Sequence, residues 1–135
     1  MENQIRRWKT PSVLHMDKRL FEFFAKVPDK GRTYREIIFD AANHEIHLWR
    51  ILPGDWIYPH IHPNSDDIWY IVQGTGEYYT TAKERKTVRP GDLAVASPRK
   101  VHGIYNSGSE DILILSVLAP LPVEIEEAPG FEYPE

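Results

Sequence analysis

The stretch "PHIHPNSDDIWY", Pro59 to Tyr70, puts two histidines one residue apart and two adjacent aspartates just after them. Imidazole nitrogens and carboxylate oxygens are donors that hold first-row divalent metals. Side chains alternate between the two faces of a strand, so His60 and His62 point the same way and can converge on one ion. Asp67 opens the apolar run "DIWYIV", from which its carboxylate can return to the same centre, and Asp66 stands beside it as the alternative acid. His102 heads another strand-like run and offers a third imidazole. Three nitrogens and one carboxylate oxygen suit iron(II), manganese, nickel, cobalt or zinc. Taken alone, a His-x-His pair between Pro59 and Pro63 also fits a solvated turn, though that does not explain why the pair leads into an apolar strand.

The elements that must position these groups read as strands. From Thr33 onward the chain runs through "TYREIIFD", "HEIHLWRILPGDWIYPHIHP", "DIWYIVQGTGEYYTT", "ERKTVRPGDLAVASP", "VHGIYN" and "DILILSVLAP". Each run is rich in β-branched and aromatic residues. Turn signals separate them at Pro53-Gly54-Asp55, Gly74-Thr75-Gly76, Pro90-Gly91-Asp92 and Asn106-Ser107-Gly108. No long helical period intervenes, so an all-β sandwich or small barrel over residues 33–119 is expected rather than a parallel α/β sheet. Residues 1–32 form an N-terminal extension in which "MDKRLFEFFAKVPDKG" reads either as a short amphipathic helix or as an edge strand. Residues 120–135, "PLPVEIEEAPGFEYPE", are rich in Pro and Glu and read as a surface tail.

Over residues 35–118 the chain resembles the cupins, a family of small β-barrels. The family's first motif is Gly, five residues, His-x-His, three or four residues, an acid, six residues and Gly; Gly54, His60, His62, Asp67 and Gly74 match its spacing. Its second motif runs from a Gly to a His and on to an Asn, matched by Gly91, His102 and Asn106. The sequence departs from the pattern in three places. The usual acid is Glu, the usual Pro is displaced by one position to Pro98, and "SPRKVH" replaces the Gly expected before the His. The resemblance implies a double-stranded β-helix, or jelly-roll, barrel. It also implies one divalent metal per chain (Fe, Mn, Ni, Co or Zn) on His60, His62, Asp67 and His102, and a homodimer. Asp67 shortens the acidic arm by one methylene, so it binds directly, binds through water, or yields to Asp66.

Parity suggests what surrounds such a centre. Trp56 and Tyr58 share the face of His60 if the strand has no bulge, while Trp69 and Ile71 share the face of Asp67. Arg50, Trp56, Trp69, Tyr79 and Arg99 are the candidate substrate-pocket residues, and Tyr58 and Asp66 are the candidate proton relays. His15, His44 and His47 read as structural or surface residues. Ile68, Tyr70 and Val72 share an outer face that suits dimer packing. A metal in this setting would polarise a substrate oxygen. The family resemblance admits dioxygenation, isomerisation, decarboxylation, dehydration or other lyase chemistry on an oxygenated small molecule. The alternative is a non-catalytic sugar- or carboxylate-binding sensor with the same barrel.

The net charge is -4, which gives no support to nucleic-acid binding. There is no cysteine, so disulfides, zinc–thiolate sites and iron–sulfur clusters are excluded. No run approaches the roughly 18 apolar residues that a spanning helix needs, and "MENQIRRWKT" is not an apolar leader, so a cytoplasmic protein is expected.

Overall fold

The structure, a computed structural model, describes residues 33–135. The helix or edge strand expected within residues 1–32, and His15 with it, lie outside the described residues. Ten strands follow: β1 (Tyr34–Asp40), β2 (Glu45–Ile51), β3 (Trp56–Ile61), β4 (Asp66–Gln73), β5 (Gly76–Tyr79), β6 (Arg85–Val88), β7 (Leu93–Ala96), β8 (His102–Tyr105), β9 (Ile112–Ala119) and β10 (Glu126–Glu127). They form two five-stranded antiparallel sheets, ordered β1-β2-β9-β4-β7 and β10-β3-β8-β5-β6. The all-β jelly-roll expectation stands at this level, but neither sheet closes into a barrel; two separate sheets enclose the interior.

Alternation along each strand decides what enters that interior. Ile51, Ile57, Trp69, Ile71, Tyr78, Val88, Ile104, Ile112 and Ile114 form one buried cluster, against which Trp49 packs. Each such side chain removed from water contributes about 1.5–3 kcal/mol. The same parity carries polar groups inward. Glu45 and His47 share the face of Trp49 and Ile51 on β2, Asp67 shares that of Trp69 and Ile71 on β4, and Ser116 shares that of Ile112 and Ile114 on β9. The cupin-type Asn106 is fully buried, and its amide donates to the Ile51 and Glu110 carbonyls, each at 2.9 Å, closing the end of the core. Gly54, Gly74 and Gly91 all have positive φ, as their turns require. At Gly74 a Cβ would also lie 2.7 Å from the Asp111 carbonyl oxygen.

One irregularity controls the site. Between β3 and β8, Ile57 pairs with Ile104 and His60 pairs with His102. Tyr58 and Pro59 therefore stand opposite Gly103 alone, as in a β-bulge. Gly103 permits it, because a Cβ there would meet the Cα and N of Pro59 at 2.6 Å. Pro59 needs no ladder donor. The extra residue reverses the parity of β3, so Ile57 and His60 both face inward while Trp56 and Tyr58 face outward.

The C-terminal segment is docked on the outer face of the second sheet. Glu126 and Glu127 of β10 pair with Ile61 and His60. Phe131 and Tyr133 pack on the outward Trp56 and Tyr58, with ring centroids 4.8–6.3 Å apart among these residues. The Tyr133 hydroxyl donates to the Pro59 carbonyl and accepts from the Ala128 amide at 2.8 Å.

Candidate metal centre

β3 delivers His60 and, just beyond its end, His62. β8 opens with His102, and β4 presents Asp67. One donor atom from each of the four lies within 4.8 Å of all the others. His60 Nε2 is 3.2 Å from His62 Nε2, and Asp67 Oδ2 is 3.1 Å from His102 Nε2 and 3.5 Å from His62 Nε2. Behind each ring stands a backbone carbonyl. The Nδ1–H of His60 donates to Tyr58 O at 2.6 Å, that of His62 to Glu124 O at 2.8 Å, and that of His102 to Lys100 O at 3.1 Å. A carbonyl only accepts, so it fixes the proton on Nδ1 and leaves Nε2 bare in the neutral ring. Three imidazole lone pairs and a carboxylate oxygen then face one another in a buried space. Such a donor set repels itself unless a cation or a proton on Nε2 sits between, and carbonyl-oriented imidazoles are what metal sites employ. The residues fit a divalent ion.

The electrostatics agree. Burial, with His102 next to it, pushes His60 down to about 3, so this ring stays neutral and available as a donor. Burial by itself would raise Asp67, but contacts with His102, His62 and Ser116 outweigh it and hold the carboxyl below its usual range. Ser116 Oγ donates to Asp67 Oδ1 at 2.9 Å, which leaves Oδ2 turned toward the imidazoles. The short aspartate therefore reaches the cluster itself. Alternation along β4 puts Asp66 on the opposite face.

The remaining expected pocket residues divide. Trp69 lines the interior, edge-on to His102 at 5.5 Å and to Tyr78 at 5.7 Å. Trp56, Tyr58 and Tyr79 do not; with Tyr105 they make an aromatic patch on the outer face of their sheet, under Phe131. The β3 bulge removes Trp56 and Tyr58 from the interior, and on β5 it is Tyr78, not Tyr79, that enters the core. Arg50 also faces away, its Nε donating to Asp111 Oδ2 at 2.6 Å. Arg99 is exposed and lies 3.7 Å from Glu126, so it lies at the surface and not in the interior. In their place stand residues that parity along β1 and β2 could have exposed. His47 is buried and donates from Nε2 to Glu45 Oε1 at 3.3 Å. Burial first, and then the Arg35 charge, lower its pKa. Arg35 pairs with Trp49 across β1 and β2 and lies over its ring, 5.5 Å from the centroid. His44, by contrast, stacks on Phe39 at 5.3 Å in the β1–β2 turn.

Comparison with known proteins agrees with this layout. An uncharacterised conserved protein with a double-stranded β-helix domain from Klebsiella pneumoniae is 32% identical, with a TM-score of 0.69 over 75% of this chain and 88% of that one. KdgF from a Halomonas species is 25% identical, with a TM-score of 0.62 over 70% of this chain and 84% of that one. An oxalate-binding protein of Thermotoga maritima is 28% identical over 69 residues, which span 51% of this chain and only 56% of that protein. The cupin domain family matches residues 47–118. That span takes in every residue of the four-donor cluster and more than half of the chain, and the chain belongs to the cupin family.

Proposed function

We propose that this chain is a metal-dependent enzyme that binds an oxygenated small molecule beside the His60–His62–Asp67–His102 centre and carries out isomerase- or lyase-type chemistry on it. The observation that carries the reading is the convergence of four donor atoms, each imidazole with its proton fixed on the side away from the cluster. A divalent ion held there would supply Lewis-acid polarisation of a substrate oxygen. The chain itself supplies the rest. Trp69, Ile71, Ile104 and Tyr78 keep water from the interior. Glu45 holds the His47 proton on Nε2, which leaves Nδ1 as a buried base able to take a substrate proton. His47 thus takes the relay role that the sequence suggested for Tyr58 and Asp66. The outward strip of Tyr70, Leu93 and Val95, each 44–62% exposed, supports assembly as a homodimer, which mass in solution tests.

The test is metal analysis of protein purified without a histidine tag. About one divalent ion per chain is expected, lost when any two of His60, His62 and His102 become Ala. A stoichiometry that survives that double change overturns the reading. Oxygen uptake during turnover would move the reaction to the dioxygenase class. Ligand binding with no turnover would recast the chain as a sensor, a reading favoured by the oxalate-binding relative.

A further inference from the structure

The interior holds more charge than a metal centre needs. Arg35 lies on the inward face of β1, its guanidinium over Trp49. Its Nε is buried and has no hydrogen-bond partner among the described residues, and the same holds for Nε1 of Trp69. An unpaired buried donor costs about 1–3 kcal/mol, so each of the two points to a missing acceptor. Arg35 also feels the charges of both Glu45 and Asp67. Without an ion, the one guanidinium and the two carboxylates sum to minus one. A divalent ion among the three neutral imidazoles would bring that sum to plus one, with Asp67 committed to the ion and Glu45 left as the carboxylate facing Arg35. An anion would restore neutrality.

We infer that Arg35 is the substrate-anion residue of this pocket, and that the natural ligand pairs a metal-chelating oxygen group with a separate carboxylate held by the guanidinium. This inference rests on the proposed metal centre and names the substrate class that would use it. A planar, permanently charged fork suits a carboxylate better than a lysine would. The Trp49 ring beneath it keeps the fork in place, as stacked arginines are kept. Arg50 and Arg99, the arginines that the sequence had offered for this role, are engaged with Asp111 and Glu126 respectively.

The test uses the full chain loaded with cobalt(II), its metal content measured first. Malate and 2-hydroxybutanoate present the same hydroxy-acid chelate; only malate adds a second carboxylate. Calorimetric titration of the wild type should show malate binding at least about tenfold more tightly, the share expected of one charge-assisted bond. Arg35→Gln should erase that preference, leaving 2-hydroxybutanoate affinity and cobalt content unchanged. Arg35→Lys, which keeps the charge without the fork, should retain part of it and serves if the glutamine variant fails to fold. A wild type with no malate preference, or one that binds neither acid at 10 mM-scale concentrations (roughly the weak end of specific binding), overturns the inference while the metal centre stands. A preference that survives Arg35→Gln does so too. A chain that takes up no cobalt removes the metal centre first, and the inference with it.

Discussion

Ser116 offers the sharpest test of how a short aspartate serves this centre. Its hydroxyl donates to Asp67 Oδ1 at 2.9 Å, and both residues are buried. Ser116→Ala removes one hydrogen bond to a charged group, worth about 1.5–3 kcal/mol. Loss of an outer partner of a metal ligand costs about 10–100-fold in affinity. That corresponds to about 1.4–2.8 kcal/mol, so the two routes agree. The assay is competition for the ion against a chromophoric chelator, with melting curves to show that both proteins are folded. Ser116→Thr keeps the hydroxyl and should restore most of the affinity. If Ser116→Ala binds metal within twofold of the wild type, Asp67 is not oriented by Ser116 and the account of the short arm fails.

Other expectations follow from the same geometry. Gly103→Ala sets a Cβ 2.6 Å from Pro59, so the bulge must shift; a loss of about 1–3 kcal/mol in chemical denaturation and weaker metal binding are expected. An unchanged denaturation midpoint would argue against the bulge. Removing residues 124–135 takes the Glu124 carbonyl from His62 and the aromatic cover from Trp56, and metal affinity should fall about 10–100-fold; equal affinity would show that His62 needs no outside partner. In chelator-treated protein, burial holds the His60 pKa at about 3 against 6.5 in the unfolded chain. His47 is lowered in the same direction. Above 6.5 both states are neutral and stability is complete. As pH falls below that, the unfolded chain binds protons that the folded chain refuses, and stability drops by at most about 1.4 kcal/mol per pH unit per histidine down to the folded value. Melting temperatures that stay level from pH 7 to about 4.5 would contradict this sign.

Much of the centre was legible because strand parity is a local property. Two residues on one strand and an aspartate at the right step of the next need no tertiary knowledge, and motif spacing tied His102 to them. Parity failed where a long-range fit altered it. The β3 bulge depends on Gly103 lacking a Cβ under Pro59, a contact between strands far apart in sequence, and without it Trp56 and Tyr58 were placed inside. Pro59 next to the ligand pair was the clue, since proline in a strand belongs at an edge or a bulge. His47, read as a structural or surface residue, is buried, and parity with Trp49 and Ile51 along β2 is the signal that carries it inward. Arg35 lies in "TYREIIFD", where both faces are buried and alternation carries little contrast. The C-terminal segment was hidden by its own composition, as Pro and Glu masked the two aromatic rings that dock it.

The carbonyl of Glu124 fixes the proton of His62, yet it follows all four residues of the donor cluster in the sequence. During synthesis His60, His62, Asp67 and His102 all leave the ribosome before the segment that orients one of them. An ion held by these four residues would therefore reach full affinity only after residues 124–133 have emerged and settled along β3. A chain interrupted before that point would carry all four donor residues and lack the carbonyl that orients His62.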